Sequence, residues 1–130
     1  MVKTQSSRMM GVDMDVSWQK FLRHKVNSFI KWDLVRFFHD NPHTADTAEN
    51  IANVVGRDAN TVSRELDGLV KADVLKKETV AGQGIYRLST DTDVRELIGE
   101  FVAACHNREF REKAINHVIH GMGFEPRRDF

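Results

Sequence analysis

Thr47-Ala48-Glu49-Asn50-Ile51-Ala52-Asn53-Val54-Val55-Gly56-Arg57-Asp58-Ala59-Asn60-Thr61-Val62-Ser63-Arg64-Glu65-Leu66 is the stretch that decides the fold. Its first half places Ala48, Ile51, Ala52 and Val55 at the three- and four-residue steps of one helix face. Asp46 or Thr47 can cap that helix, and Glu49 follows Asp46 at capping-box spacing. Gly56 tolerates the left-handed backbone that a sharp helix exit needs. Asp58 then caps a second helix with the apolar stripe Val62, Leu66, Leu69 and Val70. Ala52 is small enough to let the two helices cross closely. Val62 and Leu66 pin the second helix inward, so Asn60, Thr61, Ser63, Arg64, Gly68 and Lys71 are expected on its outward face.

Downstream the period changes. Val74 to Val80 and Ile85 to Leu88 are two β-rich runs around Ala81-Gly82-Gln83-Gly84, which predicts a hairpin with a glycine turn. A further helical segment opens at Thr90 or Asp91 with Val94, Leu97, Ile98, Phe101, Val102 and Cys105 on one face. His106-Asn107 can interrupt it before Phe110, Ala114, Ile115 and Val118, and Gly121 and Gly123 end it. Upstream, Trp18, Phe21, Leu22, Val26, Phe29 and Ile30 begin a helical pattern that runs through Leu34, Phe37 and Phe38 and stops at Asn41-Pro42. Asn27 and Ser28 both cap well, which offers a place to split this stretch in two. Residues 1–14 show no periodicity and are expected to form a flexible leader. Residues 15–120 then form one domain, and residues 121–130 a tail.

The expected fold is mainly α with a small β-hairpin. In element order and in Ile51-Ala52, Gly56, Asp58, Thr61-Val62, Arg64, Leu66, Leu69, Val74-Leu75 and Tyr86-Arg87-Leu88 the chain resembles winged helix-turn-helix regulators of the ArsR-like and MarR-like type. The resemblance covers about 60 residues, 29–88, and is specific for the fold rather than for a subfamily. Extra helices at residues 15–28 and 90–120 flank it. It implies a homodimer that binds double-stranded DNA and regulates transcription, with the flanking helices joining two copies. In such a unit the Asp58-capped helix enters the major groove. Arg64 can pair with guanine and Asn60 with adenine, while Arg57, Thr61, Ser63 and Lys71 suit phosphates or bases. The hairpin offers Lys76, Lys77, Gln83 and Arg87 to the backbone or minor groove.

Charge tempers this reading. The chain carries 19 Lys and Arg against 19 Asp and Glu, so no whole-molecule positive field draws it to nucleic acid. Residues 1–40 are net +3, 41–56 net −2, 57–88 net +1 and 89–130 net −2. Any DNA binding must therefore come from a local patch. Asp58, Glu65, Asp67 and Asp73 lie on or beside the same helix and would repel phosphates. A winged-helix module that docks a protein and leaves DNA alone is the alternative.

Other chemistry is weakly signalled. His106, His117 and His120 have the spacing H-x10-H-x2-H, and the last two share a helix face as metal ligands do. Some ArsR-like sensors bind zinc through similar spacing on their last helix. Here Ala104 replaces the expected acidic residue, the spacing falls about 13 residues late, and Asp91 and Asp93 stand at the family position. The cysteine pair of the other sensor type is missing. Solvated surface histidines are the simpler reading, and neither metal nor cofactor is expected. Cys105, the sole cysteine, excludes an internal disulfide and reads as a small core residue on an apolar face. There is no P-loop, no G-x-S-x-G and no H-E-x-x-H, so no enzyme is expected. The absence of a signal-peptide core or an apolar membrane span makes the cytoplasm the expected location.

Overall fold

The computed structural model describes residues 14–122. Apart from Met14, the expected leader lies outside them, as does the tail beyond Met122. Met14 itself packs against the core, and its carbonyl accepts a hydrogen bond from Gln19 Nε2 at 2.7 Å.

Among the described residues the chain forms six helices and a three-stranded antiparallel sheet. Helix α1 (Val16–His24) and helix α2 (Phe29–Asp40) divide where the sequence allowed a break. Ser28 caps α2, its hydroxyl accepting from the backbone N–H of Lys31. Strand β1 (Ala45–Asp46) leads into helix α3 (Ala48–Val55). Thr47 caps α3 by accepting from Asn50 N–H. The second half of the expected capping box is different: the Asp46 carboxylate takes Thr47 N–H and Asn50 Nδ2, both at 2.8 Å, and Glu49 is exposed. Gly56 ends α3 at φ +73°, where an L side chain would be strained.

Helix α4 (Ala59–Lys71) starts at Asp58, and Val62, Leu66 and Leu69 are fully buried beneath it. Strands β2 (Leu75–Val80) and β3 (Gln83–Leu88) form the expected hairpin, with a tighter turn than the sequence suggested. Ala81 and Gly82 alone make the turn, at φ +53° and +80°, while Gln83 and Gly84 pair with Val80 and Thr79 inside the ladder. Positive φ at both positions is the type I′ geometry, whose twist matches that of the flanking strands. β3 is the central strand, and β1 joins its free edge with Ala45 opposite Arg87 and Asp46 opposite Tyr86.

Helix α5 (Thr92–Ala104) is capped by Asp91, and helix α6 (Arg108–Gly121) by Asn107. The interruption falls at the His106-Asn107 site expected for it. α6 lies against α1, and α2 is flanked by α4 and α5. One core joins all of these, centred on Phe38, Phe101, Leu22, Leu34, Ile51, Leu66 and Leu69. Trp18, Phe21, Trp32, Phe101 and Phe110 form a network of ring contacts with centroids 5.0–6.4 Å apart. The crowded aromatics of the outer helices therefore fill the core of a single chain. No helix among the described residues is long and apolar enough to cross a membrane.

Candidate nucleic-acid interface

With Val62, Leu66 and Leu69 facing the core, the 100° step of a helix turns Asn60, Arg64 and Lys71 to the opposite side of α4. All three are exposed. Arg64 and Lys71 are held in no hydrogen bond or ion pair among the described residues; each only feels a nearby carboxylate, Asp58 and Asp67 respectively.

The flanks of α4 are already engaged. Glu65 faces α2, accepting from Ser28 Oγ at 2.7 Å with Lys31 Nζ at 3.5 Å. Gly68, expected on the outward face, lies on this flank too: a Cβ there would stand 2.7 Å from Lys31 Cε. Asp67 faces the hairpin, accepting from Tyr86 Oη at 2.6 Å and Lys77 Nζ at 3.1 Å. Partial burial pushes its carboxyl up, but these two donors more than offset that and hold it below the usual range. Glu65 is thus turned toward α2 and matched by a cation, while Asp67, half-exposed next to Lys71, is matched by Lys77. Asp58 stays at the front of α4. It accepts from Thr61 N–H at 2.9 Å and Thr61 Oγ1 at 3.0 Å, and these bonds hold its carboxyl low.

The remaining candidate residues divide in the same way. Thr61 spends its hydroxyl on Asp58. Arg57 is bound to Asp33 of α2, with Nε 3.0 Å from Oδ2. Lys77 is tied to Asp67 and lies 5.1 Å from the centre of the Tyr86 ring. Arg87 pairs with Glu78 across the hairpin. Lys76 is exposed and in no ion pair. Ser63 and Gln83 line a cleft of about 270 Å³ between α4, the hairpin and the start of α3, with Lys77 and Tyr86 on its wall and Glu49 at its edge. Asn60, Arg64 and Lys71 thus share one open stripe with Ser63 and Gln83 beside it, while Arg57, Lys77 and Arg87 are committed elsewhere. Nothing in the sequence signals the holders Asp33 and Asp67, because they lie 24 residues from Arg57 and 19 from Tyr86.

The other constellations separate. His117 and His120 line one depression with Arg23, and His106 lines another with Cys105. His120 Nδ1 is engaged by the Asn116 carbonyl at 2.7 Å. Among the described residues no group of three His, Cys, Asp or Glu side chains is placed to hold a metal ion. Cys105 is half-buried; burial pushes its thiol up to about 11 despite the opposing charges of Arg111 and Arg36, which favours the protonated form at neutral pH. No protein-family model matches the chain, and no curated protein matches it in sequence.

Proposed function

We propose that residues 29–88 act as a winged helix-turn-helix that binds duplex DNA in a sequence-selective way, with α4 in the major groove and the β2–β3 hairpin as the wing. The protein would be a cytoplasmic transcriptional regulator. The observation that carries the reading is the exposed stripe Asn60, Arg64, Lys71 on a helix whose other acidic residues, Glu65 and Asp67, are matched by Lys31 and Lys77. Asn and Arg are the side chains that pair bidentately with adenine and guanine edges, and Lys71 suits a phosphate. Lys76 of the wing adds a second backbone contact.

A homodimer completes the proposal. Two copies of α4 would meet successive major grooves about 34 Å apart, and the doubled interface would reach the area of specific binders. The aromatic rings of the flanking helices lend this step no support, because they pack within one chain. The step rests on the small reading surface of a single α4. Sedimentation of the full chain is expected to give twice the 14.9 kDa subunit mass, and a single-subunit mass contradicts it.

One observation favours the alternative, a module that docks a protein. Three of the six cations in residues 57–88 are already ion-paired, and the chain has no net charge. Gel-shift titration against a random duplex pool at low salt separates the two. Enrichment of a sequence together with a salt-dependent shift supports DNA reading. A chain that shifts no duplex at any concentration points to the protein module.

A further inference from the structure

A second recess lies away from α4, between α2 and the α5–α6 junction. Its volume is about 400 Å³, within the range of small-ligand pockets. Arg36 enters it from α2 and Arg111 from α6, with His39 and His106 beside them. Trp32 and Val102 supply an apolar wall, and the Trp32 ring is fixed in place by packing on Phe101 with centroids 5.2 Å apart. Among the described residues neither arginine is paired with a carboxylate. Among those residues Arg111 donates only to the Cys105 carbonyl, at 2.8 Å, and Arg36 has no hydrogen-bond partner. The single carboxylate in the lining, Asp40, is already 3.4 Å from His39 Nδ1. The recess is therefore net positive, with two planar guanidinium groups beside an aromatic wall. Two cations sharing a recess repel each other, so the combination is not accounted for by charge pairing within the fold. It does match a small anion with an apolar body.

We propose that this recess binds a small organic carboxylate, its charged head held by Arg36 and Arg111 and its apolar body laid against Trp32 and Val102. Guanidinium groups take carboxylates through paired, charge-assisted hydrogen bonds, which lets two arginines from different helices converge on one head group. Both histidines add to the positive field when protonated. The site owes nothing to the DNA reading and stands or falls by itself.

Benzoate is the probe, with inorganic phosphate as the anion that lacks an apolar body. Each is titrated into the isotopically labelled full chain while backbone amide and Trp indole resonances are followed. Benzoate is expected to give saturable shifts at the Trp32 indole and at the amides around Cys105 and His106, and phosphate to bind more weakly at the same place. Arg36→Gln, which loses no internal hydrogen bond, is expected to weaken benzoate about tenfold with the helical content unchanged. Arg111→Gln is expected to do the same, and Arg64→Gln on α4 to do nothing. Absence of saturation at Trp32, equal binding by wild type and Arg36→Gln, or phosphate binding as tightly as benzoate overturns the assignment.

Discussion

Tyr86 shows how much of this protein's order hangs on single polar atoms. Its ring is buried in the core, yet its hydroxyl reaches Asp67, which also holds Lys77. This one carboxylate fastens the hairpin to α4. Tyr86→Phe keeps the ring and removes the donor, and is expected to destabilise the fold by about 1 kcal/mol at pH 7, since Asp67 is partly solvated and keeps Lys77. The pH dependence has a fixed sign. The folded-state pKa of Asp67 is depressed, so its contribution is present above the ordinary Asp value and is lost as pH falls through the lower folded value. The difference between wild type and Tyr86→Phe in urea midpoints is expected to shrink below about pH 4. A difference that stays constant down to pH 2 contradicts the role given to Asp67. None of this was legible beforehand. Tyr86 and Asp67 are far apart in sequence, and each reads separately as an ordinary strand or helix residue. Caps were legible, because capping is a local interaction between a side chain and a backbone N–H two or three residues on. Ser28 and Asp58 cap where the sequence offered them, Asp91 is one of the two starts read for its helix, and Asn107 caps at a site read only as an interruption.

Among the elements, the helices were read from their 3.6-residue period and the sheet only in part. β1 has two residues, too few for any alternation to show, and it exists because β3 offers it an unpaired edge. The hairpin turn was read as four residues because glycines at 82 and 84 bracket it. The ladder instead extends to Val80–Gln83 and leaves Ala81 in the left-handed region at φ +53°. An alanine there is strained, since its Cβ meets the following carbonyl. Ala81→Asn gives the turn an Asn-Gly pair suited to positive φ at both positions. It is expected to stabilise the fold by about 0.5–1 kcal/mol, measured by thermal or urea unfolding. Destabilisation by this substitution contradicts the turn geometry. The hairpin tip is exposed, so the change acts through backbone conformation rather than packing.

For the whole molecule, neutrality is informative only once the charges are placed. Zero net charge suggested a poor DNA reader with acidic neighbours on its central helix. Pairing changes that picture in both directions. It matches Glu65 and Asp67 of α4 with cations, and it also takes Arg57, Lys77 and Arg87 out of the pool of free cations. Arg64, Lys71 and Lys76 remain. With Arg64 assigned to a base edge, Lys71 and Lys76 are left for phosphates, which implies a log–log salt slope of about −2 per subunit, shallow for a DNA-binding protein. Lys76→Gln is expected to reduce that slope by about 1 per subunit while leaving sequence preference intact. A steep slope of about −4.5 or beyond per subunit would mean that the paired arginines and lysine leave their carboxylates for DNA. The central claim is that the outward stripe of α4 reads base edges, and Arg64 is its member suited to guanine. The most direct test compares wild type with Arg64→Ala on the duplex selected by the wild type and on its single-base variants. The account predicts a loss of about 1–3 kcal/mol on the selected duplex and relaxed preference at one position. Identical affinity and identical preference in the two proteins would contradict it.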